Sequence, residues 1–198
     1  MRTFLALDLD NEIREQIAEF VSNLRPLAPD VRWVAPESLH VTLKFIGEKP
    51  DAFLPQIERA LQSIRQPSFE LSFRGCGFFP AEKPARVFWI GIAAGAGLSD
   101  LAQEIENSLA HIGIEKEPRA FSPHLTLARA GSGAPCRNKI EKPNRRFAPL
   151  QQKLAALPPP DFGTMSAREF FLYRSQLSGK GSRYTKIARF ELRPADSQ

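Results

Sequence analysis

Leu39-His40-Val41-Thr42-Leu43-Lys44-Phe45 returns later in the chain as Pro123-His124-Leu125-Thr126-Leu127-Ala128-Arg129. Only three histidines occur in the 198 residues, and two of them sit in these stretches. Side chains alternate across an extended strand, which sets His40 and Thr42 on one face and Leu39, Val41, Leu43 and Phe45 on the other. The second copy repeats the division, with His124 and Thr126 opposite Leu125 and Leu127. Each stretch thus offers an imidazole and a hydroxyl from a strand anchored by apolar side chains.

The repetition reaches beyond these stretches. Phe4 precedes His40 by 36 residues, and Phe88 precedes His124 by the same 36. Residues 3–9 read as a strand, with Leu5, Leu7 and Leu9 on one face and Phe4, Ala6 and Asp8 on the other. Asp10 then suits a helix N-cap, and Ile13, Ile17, Phe20, Val21 and Leu24 recur at helical spacing behind it. In the second half, Arg86 to Ala93 reads as a strand, and Leu98, Leu101, Ile105, Leu109 and Ile112 mark a helix running to Gly113. A shift of 84 carries His40 onto His124, and Ile17 and Val21 onto Leu101 and Ile105. The spacing predicts an internal duplication, roughly residues 3–47 and 87–130, within one two-lobed unit spanning 1–198.

Between the halves lie a short extended piece at Val31–Val34, an amphipathic helix from Asp51 to Ile64, and an alternating strand at Phe69–Phe73 followed by a bulge or turn at Gly75-Cys76-Gly77. Residues 130–165 read as an excursion, opened by Gly131-Ser132-Gly133-Ala134-Pro135 and closed by Pro158-Pro159-Pro160. Arg137, Lys139, Lys142, Arg145 and Arg146 crowd its first half, either as a solvated face or as an RNA contact. Strands at 170–173 and 187–192 complete the sheets.

Composition sets outer limits. Hydrophobic content of 42% and charged content of 25% are those of an ordinary globular protein, and 27 Lys+Arg against 22 Asp+Glu mildly favours an anionic partner. The opening apolar run breaks at Asp8 and Asp10, too soon for a signal peptide, and no stretch is long enough to span a membrane. Cys76 and Cys136 are read as two reduced thiols of a cytoplasmic protein. His111, near the end of a helix, is assigned a structural role. Neither histidine motif brings a neighbouring carboxylate or thiol, which argues against a metal site, and no GK[ST] or GxSxG motif occurs.

Two imidazoles that titrate near neutrality can work together, one neutral and one protonated, as general base and general acid. Displacement at phosphorus needs such a pair on opposite sides of the reacting atom. A threonine hydroxyl two residues along can donate to a non-bridging phosphate oxygen. A cleft that binds a nucleotide or RNA end without turnover, using Thr42, Thr126 and Arg129 as phosphate ligands, is the alternative reading.

His40-Val41-Thr42-Leu43 and His124-Leu125-Thr126-Leu127 resemble the paired HxTx motifs of the 2H phosphoesterase superfamily. The flanks Arg2 to Asp8, Leu39 to Gly47, Phe121 to Arg129 and Arg183 to Phe190 resemble its RNA 2′,3′-cyclic phosphodiesterase branch, historically called 2′-5′ RNA ligase. The resemblance implies an α+β, bilobal fold, two pseudo-symmetric lobes with antiparallel sheets flanked by helices around a central cleft. It implies metal-independent, cofactor-free opening of an RNA 2′,3′-cyclic phosphate to a 2′-phosphomonoester, with His40 as proton donor and His124 as acceptor. Reversible 2′-5′ ligation at the same site is attached to the branch's older name. The expected partner is RNA with a 2′,3′-cyclic phosphate end, tRNA-like fragments included, or a cyclic nucleotide, met by a monomer. Arg129 matches a substrate-binding arginine. Strict alternation points it away from His124, so a bulge or the strand end must redirect it. Phe4, on the face opposite the core leucines, is a candidate to stack on the terminal base.

Overall fold

The computed structural model describes residues 1–81, 84–131, 146–178 and 181–194. In chain order its elements are β1 (Arg2–Leu7), α1 (Asn11–Leu24), β2 (Arg32–Trp33), β3 (Val41–Glu48), α2 (Leu54–Leu61), β4 (Phe69–Phe79), β5 (Val87–Ala93), α3 (Gly97–Ala110), β6 (His124–Arg129), α4 (Ala148–Ala155), β7 (Asp161–Ala167), β8 (Glu169–Ser178) and β9 (Gly181–Glu191). Two antiparallel sheets result, ordered β3-β1-β8-β9 and β2-β6-β5-β4-β7. The α+β class and the two sheets expected of the resemblance are present.

Hydrophobic periodicity accounts for most of these elements. In α1 the buried residues are Ile13, Ile17, Val21 and Leu24, one stripe at helical spacing. Asp10 holds the N-cap position in an extended conformation, but its carboxylate makes no cap bond, and only its carbonyl engages the helix, through Arg14 N–H at 3.0 Å. The expected helix from Asp51 to Ile64 is shorter, with α2 starting at Leu54 behind a 3-10 turn and Pro55 in its first turn, where a missing N–H costs nothing. Gly75-Cys76-Gly77 makes a bulge, not a turn, because β4 continues through it to Phe79 with a register shift between Phe73 and Cys76.

The excursion at 130–165 holds two elements that the sequence reading missed. Helix α4 buries only Leu150, leaving too little apolar periodicity to mark it, and the β7 pattern Asp161–Ala167 contains Gly163 and three polar residues. The basic segment lies outside the described residues except for Arg146, which donates to the Asp30 carbonyl at 3.1 Å.

The halves do not form separate cores. Strand β2, from the first half, pairs with β6 of the second, Arg32 opposite Arg129 and Trp33 opposite Ala128, and Val34 N–H donates to the Leu127 carbonyl at 2.8 Å. Helix α1 leaves β1 yet packs against β7 of the other sheet, with Phe20 edge-on to Phe162 at 5.1 Å. Helix α3 leaves β5, packs against its own β4 and also reaches β3. One cluster of buried side chains therefore runs through both halves, from Leu5 and Val41 to Leu125 and Phe147.

At the start of each half, strand pairing departs by one residue from the 36-residue spacing that matches Phe4 to Phe88. Leu5 pairs with Lys44, and Phe88 pairs with Ala128, so Phe88 is the counterpart of Leu5 and not of Phe4. Both Leu5 and Phe88 are fully buried, which is the role they share.

Lys44 joins the halves by charge. Its side chain is 2% exposed, and its ammonium donates to Glu106 of α3 at 2.8 Å and to the Glu115 carbonyl at 2.7 Å. Removing one partner of a buried pair strands the other, at about 3–5 kcal/mol. Lys44→Ala is expected to lose about that much in urea unfolding, and the Lys44→Met/Glu106→Leu double variant much less. Equal losses in the two variants would mean that the pair itself, and not the stranded carboxylate, carries the effect.

Candidate active site

His40 stands just ahead of β3 and His124 opens β6. Each imidazole donates from Nδ1 to the carbonyl two residues back, His40 to Ser38 at 2.7 Å and His124 to Ser122 at 2.8 Å. A carbonyl only accepts, so both rings carry the proton on Nδ1 and keep Nε2 as the atom able to take or give one. The two motifs thus repeat in tautomer as well as in sequence.

Bulges then shape the strands. Between Leu5 and Ala6 on β1, the partner strand advances from Lys44 to Thr42, leaving Leu43 as an extra residue. Between Phe88 and Trp89 on β5, β6 moves from Ala128 to Thr126, leaving Leu127 extra. The shift of 84 carries Leu43 onto Leu127, so both motifs bulge at the same place. Each bulge buries two consecutive residues, Leu43 and Lys44 in one strand and Leu127 and Ala128 in the other.

The residues after the bulges are turned back to the face of the threonines. Arg129 meets this requirement: its Nη2 donates to Thr126 Oγ1 at 3.4 Å. Phe45 follows the same rule and departs from the alternation that placed it with the core leucines. It pairs with Phe4, lies 6.1 Å from that ring, and is 60% exposed. Under the shift of 84, Phe45 stands where Arg129 stands, a correspondence already present in the repeat.

Phe4 does lie on the face of Ala6, away from the leucines, but it is only 3% exposed. Tyr173 stacks on it at 5.1 Å, Tyr184 meets it edge-on at 5.1 Å, and His40 covers it at 4.8 Å. Its ring has no face left for a base. It forms the floor on which His40 rests, within a second buried cluster of Phe4, Ala6, Phe171 and Tyr173. On the other sheet, Phe79 meets His124 edge-on at 5.3 Å and stacks on Trp89 at 4.9 Å. Trp89 lies so close over Gly77 that a Cβ there would come within 2.4 Å of the indole, so only glycine fits.

His40 is the more enclosed imidazole. Burial pushes its pKa below the ordinary value, and the charges of Arg129 and Arg14 act in the same direction, while the Ser38 carbonyl and the Asp8 carboxylate oppose them. Arg129, on β6, is thus close enough to act on the histidine of the other motif, in keeping with the contact between β3 and β6. Burial raises the Asp8 pKa, but the bond and charge of Lys186, the Leu9 N–H and Arg14 outweigh it and hold the carboxyl below its usual range.

The remaining candidates are accounted for separately. His111 donates from its ring to the Asn107 carbonyl at 2.7 Å, at the end of α3. Cys76 is a free thiol, and Cys136 lies outside the described residues. Among the described residues, no group of three or more His, Cys, Asp or Glu side chains could hold a metal ion, and no helix is long and apolar enough to cross a membrane.

A family model for LigT-like phosphoesterases matches residues 7–89 and again residues 90–184, one match for each half. The chain belongs to the LigT-like phosphoesterase family. It is 33% identical to the RNA 2′,3′-cyclic phosphodiesterase of Archaeoglobus fulgidus over 96% of this chain and 100% of that one. Among solved structures, it resembles TT0787 of Thermus thermophilus, with a TM-score of 0.78 and 30% identity over 98% of this chain and 99% of that one. It also resembles E. coli LigT complexed with 3′-AMP, with a TM-score of 0.76 and 32% identity over 96% of this chain and 97% of that one.

The opposing charges around this phosphoesterase's His40 make a direct prediction. Asp8 raises the His40 pKa, so Asp8→Asn should move its titration, followed by imidazole NMR against pH, further below the ordinary value. A titration that moves upward would show that the carboxylate does not act on this ring.

Proposed function

We propose that this LigT-like phosphoesterase opens the 2′,3′-cyclic phosphate at an RNA end, or of a cyclic nucleotide, to a 2′-phosphomonoester, with His40 and His124 as its acid and base. The observation that carries this reading is the matched pair of imidazoles, each with Nδ1 committed to a backbone carbonyl and Nε2 left for chemistry. The name of the Archaeoglobus relative and the 3′-AMP held by E. coli LigT support the substrate class.

In this reaction, His124 takes a proton from the attacking water as its oxygen bonds to phosphorus. The bond from phosphorus to O3′ breaks, and His40 supplies the proton that O3′ needs, leaving the phosphate on O2′. Both proton transfers balance, so the next turnover needs only exchange with solvent. Thr42, Thr126 and Arg129 offer a hydroxyl, a hydroxyl and a guanidinium to the phosphoryl oxygens as their charge grows. To donate, His40 must carry a proton on Nε2 as well as Nδ1; its lowered pKa makes that proton easier to transfer and shrinks the fraction of enzyme that carries it. No step calls for a metal ion or an organic cofactor. Phe45, exposed on the same face as Thr42, is the platform for the terminal base in place of the buried Phe4.

The central test is turnover of cytidine 2′,3′-cyclic phosphate in excess EDTA. Wild type should retain its rate there, and His40→Ala and His124→Ala should each lose roughly 10²–10⁴-fold, with smaller losses for Thr42→Ala and Thr126→Ala. A substrate with a better leaving oxygen should partly restore His40→Ala and not His124→Ala. Restoration of His124→Ala alone would reverse the two roles, and near-wild-type rates in both would favour a site that binds without turnover.

Stacking on a base is worth about 1–3 kcal/mol. Phe45→Ala should therefore raise KM for the cyclic nucleotide by roughly 5–150-fold, with kcat changed far less. An unchanged KM would remove the base from Phe45.

A further inference from the structure

The two histidines share a tautomer, but they are not held alike. His40 takes its orientation from the Ser38 carbonyl, and Ser38 ends the 3-10 turn Pro36–Ser38. That turn is short, with Ser38 N–H donating to the Ala35 carbonyl at 2.8 Å and Leu39 N–H to the Pro36 carbonyl at 3.2 Å. Two such bonds leave the turn free to rock unless something else secures it.

Arg14 supplies the missing hold from the first turn of α1. Its Nη1 donates to the Pro36 carbonyl at 2.6 Å and to the Leu39 carbonyl at 3.3 Å, one on each side of Ser38. Its Nη2 donates to Asp8 Oδ1 at 2.5 Å and to the Leu9 carbonyl at 3.2 Å. The side chain is only 17% exposed, and its planar fork spans four acceptors in two stretches of chain. Asp8 is itself anchored from the far side by Lys186 of β9. The fork therefore ties the turn that orients His40 to the end of β1 and, through Asp8, to the C-terminal strand.

Among the described residues, the second motif has no such clamp. Helix α3, which stands where α1 stands in the first half, contains no arginine or lysine in its sequence GLSDLAQEIENSLA. We propose that Arg14 is a positioning residue for the reaction, clamping the Pro36–Leu39 turn so that the Ser38 carbonyl holds His40 in its Nδ1-protonated form with Nε2 directed at the leaving oxygen. This rests on the catalytic reading of His40 given above. A residue that sets the acid's geometry without touching substrate changes kcat and leaves KM nearly alone. Small misplacements of a reacting group cost up to about 10²-fold.

The experiment is a double-mutant cycle on cytidine 2′,3′-cyclic phosphate, with Arg14→Gln and Arg14→Lys each made in the wild-type and His40→Ala backgrounds. Arg14→Lys keeps the charge and the aliphatic stem but replaces the fork by a single ammonium, so it serves as the variant expected to fold should Arg14→Gln not. Either change should lower kcat by about 10–100-fold with KM within about 3-fold in the wild-type background, and by less than about 2-fold where His40 is already alanine. Nitrogen-15 NMR of the imidazoles should show neutral His40 losing its single Nδ1-protonated tautomer while His124 keeps its own. An unchanged kcat, equal losses in both backgrounds, or a disturbed His124 tautomer would overturn the clamp. Full activity of His40→Ala would instead overturn the catalytic reading, and the tautomer of His40 in the Arg14 variants would then still decide whether the clamp exists.

Discussion

Everything distinctive about this site depends on one extra residue in each of two strands. A strand that paired without interruption would send Arg129 and Phe45 to the side of the core and bring Lys44 and Ala128 out beside the threonines. By admitting Leu43 and Leu127 as bulges, both strands bury two residues in succession and resume their alternation in opposite phase. The Arg129 guanidinium beside Thr126, the exposed Phe45 ring and the buried Lys44 are three consequences of the same local event. Because it occurs at equivalent places, it sets a cationic side chain beside one motif and an aromatic one beside the other.

The bulges would serve no purpose if the two strands were not held at a fixed separation. That distance is set by the backbone, since β2 hydrogen-bonds to β6 and leads within a few residues to His40. The segment that ends in one histidine is thereby registered on the strand that begins with the other. Helix packing reinforces the arrangement, with α1 on β7 and α3 reaching β3, and the buried Lys44 ties the first His strand to α3. A shared core of this kind resists separation into two independent halves and so holds His40 and His124 in fixed relation, the preorganisation that the proposed acid and base would need.

The symmetry of the two motifs is broken around His40. His40 rests on Phe4 against Tyr173 and Tyr184, with Asp8, Arg14 and Arg129 acting on its charge, whereas the aromatic neighbour of His124 is Phe79. A duplicated motif would otherwise furnish two equivalent imidazoles, and acid and base must not be equivalent. The enclosing cluster and the Arg14 fork join residues of the first half to the C-terminal strands β8 and β9.

Much of this was legible in the chain. Alternating and helical periodicity marked most strands and the principal helices, and the resemblance carried by the two HxTx stretches implied the α+β class. Local patterns carry such information because strand and helix periodicities are properties of neighbouring residues. Helix α4 and strand β7 escaped because their own apolar content is slight, and their stability comes from the surfaces they cover. What only the tertiary structure decided was the phase of each strand after its bulge, the burial of Phe4 beneath His40, the exposure of Phe45, and the four acceptors of Arg14. Each of these depends on which strand or turn lies opposite, and that is a fact about distant residues to which a linear pattern is blind.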